Sequence, residues 1–299
     1  MYIIENVNLL TDNQLKKCSL LINNNRIAKI DSHFNKYRLM KMNADPYVMT
    51  PTNVLFNSNI PQIKAFRDLK AYVIEEFLLK GCTTLFTYVN VSYEHELLPK
   101  ISELKTTLLS SPIDFCFGVR IPIRLITQSF LRKCKKNKIP AIFVDLSSID
   151  ELEKVPWGWI REAMFPYNSP LIPIISSIEK KEVKSVLSKW KGIMKRENIP
   201  ALYEELAENQ LLSIAVLNKI GLYPQKASLM CGNEVSYNLY TKRKDKNVDD
   251  VNLFHYHSNR LAVTVHKGTV MRAGDNVLFK PGYGEHVRVQ TPSYFSLPT

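Results

Sequence analysis

Residues 51–59, PTNVLFNSN, lie at the point where the sequence changes its rhythm. Before them, the runs YIIENVNLL, CSLLI and RIAKID alternate apolar and polar residues and predict short β-strands separated by polar turns. After them, predicted strands and helices alternate, which is typical of parallel strands joined by right-handed crossovers. The segment NVLFNS is therefore predicted to be the first strand of an α/β unit.

Further strand candidates follow in this α/β unit: TTLFTYVNV, DFCFGVRIPI, PAIFVDL and PLIPIIS. From residue 180 to Gly221 the spacing of apolar residues predicts helices, and short strands return from residue 226 to the end. This bracketing predicts two domains. Residues 1–50 and 226–299 form a small β-domain from both chain ends, and residues 51–225 form the α/β domain.

The composition of the 299-residue chain argues against several classes of protein. With 45% hydrophobic residues it can build a core, yet it has no apolar run of about 18 residues that would cross a membrane. No basic segment leads into an apolar one at the N-terminus, so we expect no secretory signal. The five cysteines are scattered without CxxC spacing, which favours reduced thiols and a cytoplasmic protein.

The net charge of +12 raises the question of nucleic-acid binding. The basic residues are spread along the chain, and the lysines of residues 180–196 alternate with apolar residues at helical spacing. No stacking-aromatic or helix-turn-helix pattern accompanies them. A lysine-rich, solvated surface is therefore favoured over a nucleic-acid interface.

Four parts of the sequence together resemble the amidohydrolase superfamily, in the branch of the dihydroorotases, dihydropyrimidinases and allantoinases. Near the start, NNNRIAKID is similar to the family's "N-G-R-I-x-x-I" turn, and Pro51 lies where the family has its "P-G-x-x-D-x-H-x-H" strand. The residues GCTT, from Gly81 to Thr84, resemble the "G-x-T-T" that opens the second barrel strand. The tail, NKIGLYPQKASLMCGNEVSYNLY followed by VTVHKGTVMRAG and PGYGEHVRV, resembles the family's closing helix and strands.

The resemblance implies a (β/α)₈ barrel, a β-sandwich built from both termini, and an active site at the carboxyl ends of the barrel strands. It also implies metal chemistry, in which bound zinc lowers the pKa of a water so that hydroxide attacks an amide carbonyl. The implied ligands are two histidines on the first strand, a lysine on the fourth, two later histidines and an aspartate on the eighth.

The chain departs from this pattern at the ligand positions. Asn57 and Asn59 occupy the two histidine positions, where side chains two residues apart on a strand are expected to face the barrel mouth together. Leu55 replaces the preceding aspartate, and PAIFVDL offers no lysine, with Asp145 as its only charged residue. Amide oxygens are poor zinc ligands, so we expect no metal cofactor even though the family would imply zinc.

Two further observations concern metal binding and the extent of the barrel. His255 and His257 form an HxH pair, but no third ligand lies nearby in the sequence and closed sites generally need four. The α/β part is shorter than the roughly 250 residues of a full barrel. We therefore expect a truncated or incomplete barrel, whose exposed edge is covered by the helical segment 180–220 or by a second subunit.

Three functions remain open. The first is a catalytically degenerate, amidohydrolase-like protein with a structural, regulatory or ligand-binding role, which acts as a homo-oligomer or beside an active relative. The second is a hydrolase of a cyclic amide or of other non-peptide C–N bonds with an unusual site, for example a metal-independent one in which Asp145 is the base and Asn57, Asn59 and Arg120 orient the substrate. The third is a nucleic-acid-binding module, which rests on charge alone. A small-molecule ligand is a candidate partner of the first two.

The first function is preferred for physical reasons. A lone aspartate at a strand end, such as Asp145, is more often a structural group than a catalyst. Arg120 equally fits a pairing with a carboxylate.

Trp157 and Trp159, in VPWGWI, fit either core filling or a pocket or interface, and core filling is preferred.

Overall fold

The computed structural model describes residues 1–11, 14–60, 63, 65–175, 181–242 and 258–293. The chain divides into two compact units: the first comprises Met1–Val54, Ala65–Thr84 and Pro224–Lys280, and the second comprises Leu55–Lys64, Leu85–Tyr223 and Pro281–Thr299. The histidine pair formed by His255 and His257 lies outside the described residues.

The secondary structure elements are numbered in chain order. The strands are β1 (Tyr2–Thr11), β2 (Gln14–Asn23), β3 (Arg26–Asp31), β4 (Met40–Asn43), β5 (Tyr47–Pro51), β6 (Asn53–Phe56), β7 (Cys82–Asn90), β8 (Asp114–Pro122), β9 (Ile142–Asp145), β10 (Leu171–Ile174), β11 (Gln210–Leu211), β12 (Tyr237–Thr241), β13 (Leu261–His266), β14 (Thr269–Ala273) and β15 (Asn276–Val277). The helices are α1 (Phe66–Glu76), α2 (Leu97–Thr107), α3 (Gln128–Lys136), α4 (Ile149–Lys154), α5 (Trp157–Met164), α6 (Val183–Arg196) and α7 (Ile214–Ile220).

Strands from the two ends of the chain form one sheet in the first unit. Its order is β15-β14-β13-β12-β5-β1-β2-β3, with β4 paired to β1. The N-terminal and C-terminal parts meet where β12 pairs antiparallel with β5, with Leu239 opposite Met49. Apolar side chains from both parts, among them Ile4, Met49 and Leu239, share one buried cluster. The two-sheet sandwich and the domain boundaries at residues 50 and 226 stay predictions.

The structure of the first unit explains why the GCTT segment begins with a glycine. Gly81 has a left-handed backbone with φ of 69° and ends a short 3₁₀ turn after α1. A Cβ at Gly81 would lie 2.6 Å from Nδ2 of Asn238, which instead donates a hydrogen bond of 2.9 Å to the Gly81 carbonyl. Asn238 in turn accepts from the Thr264 hydroxyl at 2.9 Å, so this buried amide has partners at both ends.

The second sheet has the order β10-β9-β8-β7-β6-β11. The pairs β8–β9 and β9–β10 are parallel, as predicted for an α/β unit, whereas β11 pairs antiparallel with β6. Each of the strands predicted between residues 51 and 176 is present, as β6 to β10. The fold class is therefore confirmed as mixed α/β.

This sheet is strongly curved, as ring positions on β6 and β9 demonstrate. Phe56 and Phe143 lie three strands apart, which in a flat sheet would separate them by about 14 Å at a spacing of about 4.8 Å per strand. Their ring centroids are only 5.5 Å apart, and the rings are stacked. The strands therefore curl into a half-barrel, which agrees with a truncated version of the barrel expected from the sequence.

The helix predicted over residues 200–221 is wrong for most of its length. Only Ile214–Ile220 is helical, beginning at Ser213, whose hydroxyl accepts from Val216 N, and ending at Gly221 with φ of 86°. Residues 200–211 are non-helical and contain β11; we refer to them as the strap. Their alanine, leucine and glutamate residues favour helix, but propensity is a weak prior that tertiary contacts override.

The strap connects the two open edges of the half-barrel. At β10, Leu171 N donates to the Pro200 carbonyl and Leu202 N donates to the Leu171 carbonyl, each at 2.9 Å. At β6, Asn209 N donates to the Phe56 carbonyl at 3.0 Å, and β11 continues the pairing. The sequence analysis expected the helical segment 180–220 or a second subunit to cover the exposed edge. In the structure the non-helical strap, which lies within residues 180–220, pairs with both edges through its main chain.

Three other segments differ in detail from the sequence analysis. A proline within the helical pattern of residues 94–110 predicts a break or bend, but Pro99 lies in the first turn of α2, where a missing N–H leaves no intrahelical bond unmade. The segment HVRVQ makes an isolated parallel bridge between His286 and Phe115 of β8, within the second unit. Trp157 is a core residue at 4% exposure, whereas Trp159 is 61% exposed.

The helices of the described residues are too short or too polar to cross a lipid bilayer.

Replacement of Gly118 by alanine is expected to destabilise the second unit. A Cβ at Gly118 would lie 2.6 Å from the Ala141 carbonyl oxygen and 3.0 Å from the Phe143 ring, so backbone or ring must shift. Overpacking of this kind costs about 1–3 kcal/mol. Urea unfolding followed by circular dichroism measures the change in the free energy of unfolding.

The matched control for that experiment is Gly192→Ala on α6, where a new Cβ meets nothing within 4 Å. Because alanine is the better helix former, this variant should gain up to about 1 kcal/mol. Equal effects of the two substitutions would contradict the described packing of Gly118 against Phe143.

Candidate functional site

Aromatic side chains fill the inner face of the half-barrel. Phe86 and Tyr88 alternate on β7 and point to the same face, where they meet Phe56 of β6 and Phe143 of β9. The ring of Phe143 lies 4.8 Å from that of Tyr88, 5.5 Å from that of Phe56 and 5.8 Å from that of Phe86, measured between centroids. We call these four residues the aromatic wall; they lie on the inner face of the half-barrel, at the barrel mouth.

Arg120 and Asp145, the predicted ligand-holding and base residues, are brought together as an ion pair. They lie near the carboxyl ends of the neighbouring strands β8 and β9. Arg120 donates to Asp145 Oδ1 from Nε at 2.9 Å, and its Nη2 is 2.8 Å from the same oxygen. Of the two roles considered for Arg120, the structure has the pairing with a carboxylate.

The Arg120 guanidinium also contacts the aromatic wall. Its Nη1 donates to the Tyr88 hydroxyl at 3.3 Å, and its central carbon lies 5.7 Å from the centroid of the Tyr88 ring. Burial would lower the pKa of Arg120, but the hydrogen bond and the charge of Asp145 outweigh it, so the pKa is raised. The guanidinium therefore stays charged and held in place.

The two asparagines at the implied histidine positions have different environments. β6 ends at Phe56, so Asn57 and Asn59 lie in the turn after it, and the expectation that their side chains face the same way is wrong. The Asn57 side chain is fully buried, and its Oδ1 accepts from the backbone N–H groups of Asn59 at 3.0 Å and Ile60 at 2.9 Å. Its Nδ2 donates to Oδ1 of Asn209 on the strap at 2.6 Å. Asn59 is exposed.

Two glutamates of the strap face the mouth, and the sequence analysis missed both. The Glu208 carboxylate accepts from Ser58 N at 2.9 Å and from the Ser58 hydroxyl. Glu205 lies within electrostatic reach of Arg120 and Asp145. Because the segment EELAENQ has strong helix formers, it was assigned to a helix, and nothing in its sequence relates it to the strands it crosses.

The pKa of the Glu205 carboxyl is raised, chiefly by partial desolvation, although the residue as a whole is exposed. A hydrogen bond from the Ile175 backbone and the charge of Arg120 oppose this shift, and the carboxylates of Asp145 and Glu208 add to it. Glu205 is thus the carboxyl at this mouth whose charged form is disfavoured.

A small cavity lies between the aromatic wall and the strap. Its volume is about 260 Å³, and it is lined by Phe56, Tyr88, Phe143, Ile174 and residues 205–208. The volume is slightly below the roughly 300–1,000 Å³ typical of small-molecule sites. The cavity therefore suits a compact ligand of about one ring.

The residues at this mouth do not fit the zinc centre that the resemblance implies. Zinc sites need about four nitrogen, sulfur or carboxylate donors in tetrahedral array. Here the Asn57 oxygen already accepts two backbone N–H groups, and Asp145 is paired with Arg120. Across the described ranges, no three His, Cys, Asp or Glu side chains are grouped so that they could hold a metal ion.

Comparison with known proteins finds similarity in structure only. No family model matches the chain, and no curated protein sequence matches it. A D-hydantoinase structure has a TM-score of 0.67 at 11% identity, covering 98% of this chain and 99% of that chain. The D-hydantoinase (dihydropyrimidinase) from Thermus sp. has a TM-score of 0.68 at 10% identity, covering 99% of this chain and 100% of the other.

A third similar structure is the atrazine chlorohydrolase from Arthrobacter aurescens, complexed with zinc. Its TM-score is 0.55 at 11% identity, covering 93% of this chain and 96% of that chain. Hydantoinases and this chlorohydrolase are amidohydrolase superfamily members. The resemblance seen in the sequence is therefore confirmed for the fold. It is confirmed for the fold alone, because identities this low carry no information on activity.

Replacement of Asn57 by alanine is expected to lower the free energy of unfolding by about 2–3 kcal/mol, because two backbone N–H groups and the Asn209 amide lose their partner. Asn59→Ala is the matched control, with an expected change within about 0.5 kcal/mol for an exposed side chain. Chemical unfolding of the two variants measures the difference. If Asn59→Ala were the more damaging change, the described turn would be wrong.

Proposed function

We propose that this protein is a catalytically degenerate, amidohydrolase-like protein that binds a small ligand in a structural or regulatory role. The observation that carries the proposal is the composition of the barrel mouth. An ion pair, an aromatic wall and a turn-forming asparagine stand where the fold's hydrolases have their chemistry. The cavity of about 260 Å³ supports ligand binding rather than a purely structural role.

The polar groups of the mouth are already engaged with one another. Metal-assisted hydrolysis requires a bound ion that generates hydroxide at neutral pH, and the donors here do not form such a site. Asp145 accepts from the Arg120 guanidinium at 2.9 Å, so its carboxylate serves to position Arg120. The Asn57 amide shapes the turn through its bonds to Asn59 and Ile60.

A metal-independent hydrolase of a cyclic amide is the alternative function, and one observation favours it. The pKa of Glu205 is raised, which is a property of many general acids and bases. In this alternative Glu205 replaces Asp145 as the acid–base residue, and Arg120 with Tyr88 orients the substrate.

The proposed partners follow from the role. A degenerate relative of an enzyme can act by assembling with further copies of itself or with an active relative, and both arrangements are consistent with a ligand-sensing mouth. We propose a cytoplasmic setting from the scattered cysteines, of which Cys18, Cys82, Cys116 and Cys134 are buried free thiols.

The protein purified without added metal is expected to contain far less than one zinc per chain and to show no turnover. Elemental analysis measures the metal, and assays of hydantoin, dihydrouracil, dihydroorotate and allantoin hydrolysis measure the activity. A D-hydantoinase assayed in parallel shows that the conditions support catalysis.

Two results would contradict the proposal in different ways. Near-stoichiometric zinc with turnover would show an intact metal enzyme. Turnover without metal, abolished by Glu205→Gln but retained in Glu204→Gln, would establish the alternative function.

A further inference from the structure

Among the described residues, the charged side chains that line the cavity at the barrel mouth are negative, and they belong to Glu205 and Glu208. The neighbouring Arg120 and Asp145 cancel each other as an ion pair. Within the described residues, Glu205 forms no ion pair with a lysine, arginine or histidine, although two other carboxylates lie within electrostatic reach. The pKa of the Glu205 carboxyl is raised, so its charged form is disfavoured in the free protein and a cation in the cavity would stabilise that form.

The opposite side of the cavity is aromatic. The rings of Phe56, Tyr88 and Phe143 line it, with centroids 4.8–6.0 Å apart. Ring faces attract cations, most strongly where water is excluded. The Arg120 guanidinium, 5.7 Å from the Tyr88 centroid, already makes such a contact at the edge of this wall.

We propose that this cavity binds a compact organic cation, an amidinium, guanidinium or ammonium group on a single ring, with Glu205 as its counter-ion and the aromatic wall against its apolar body. This inference rests on the proposed ligand-binding function and specifies its chemistry. The cavity of about 260 Å³ limits the ligand to about one ring and its charged group.

The protonation of Glu205 links ligand affinity to pH. In the free protein the pKa of this carboxyl is raised by partial desolvation and by the carboxylates of Asp145 and Glu208, against the opposing effects of Arg120 and the Ile175 N–H. A bound cation favours the carboxylate and lowers the pKa again. Binding should therefore release a proton in the pH range just above the ordinary pKa of glutamate, and affinity should rise with pH through that range.

Three probes of the same shape and different charge test the inference with the full-length protein. Benzamidinium is a cation, benzamide is neutral and benzoate is an anion. Isothermal titration calorimetry at neutral pH is expected to show benzamidinium binding about tenfold more tightly than benzamide, with benzoate weakest. Titrations in buffers of different ionisation enthalpy measure the released proton.

Variants then test the role of Glu205. Glu205→Gln removes the charge with little change in shape and should reduce benzamidinium affinity about tenfold, abolish the pH dependence and leave benzamide binding unchanged. Glu204→Gln is the matched control, because Glu204 is exposed like Glu205 but does not line the cavity.

The outcomes separate this inference from the proposed function. Preferred binding of benzamide or benzoate, or equal losses in the Glu204 and Glu205 variants, would overturn the cation inference and leave a ligand-binding protein. Failure of all three probes to bind would also overturn it. Metal-dependent turnover, measured separately, would overturn the proposed function regardless of the probes.

Discussion

An incomplete barrel has backbone groups without partners at both of its edges, and in the second unit the strap pairs with each of them. It meets β10 through the bonds of Leu171 with Pro200 and Leu202, and it meets β6 through Asn209 and β11. Unpaired edges expose hydrogen-bonding groups and invite association with other chains. One segment of the chain therefore pairs with part of each edge that further strand–helix units would otherwise cover.

The same closure determines the chemistry of the barrel mouth. The strap begins beside Leu171, at the amino end of β10. Its later residues Glu205, Glu208 and Asn209 lie at the barrel mouth, the end of the strands where the active sites of barrel enzymes are found. Asn57 faces Asn209, and Ser58 faces Glu208, so the turn after β6 is bonded to the strap. The aromatic wall fills the space beneath, and what remains is a small cavity with two acidic residues on one side and rings on the other.

Hydrophobic periodicity was sufficient to predict the strands and the α/β class. The strands β6 to β10 stand out because each is a short apolar run bounded by turn residues. The segment GCTT was also informative, since Gly81 needs both a left-handed backbone and room for Asn238. Residues 200–211 were assigned wrongly because a local pattern of helix formers contains no information about which distant edges the chain must pair with.

For the candidate site, too, some features could be predicted from the sequence and others depend on the tertiary structure. The sequence and its resemblance to a family predicted Asn57, Asn59, Arg120 and Asp145 as mouth residues and placed no histidine at the implied ligand positions, because these statements depend on residue identity and order along the chain. Only the tertiary structure decided that Arg120 pairs with Asp145, that Asn57 is buried while Asn59 is exposed, and that Glu205 reaches the mouth. The physical reason is that these contacts join residues far apart in the chain. They depend on the curvature of the sheet and on the path of the strap, and neither can be read from a short stretch of sequence.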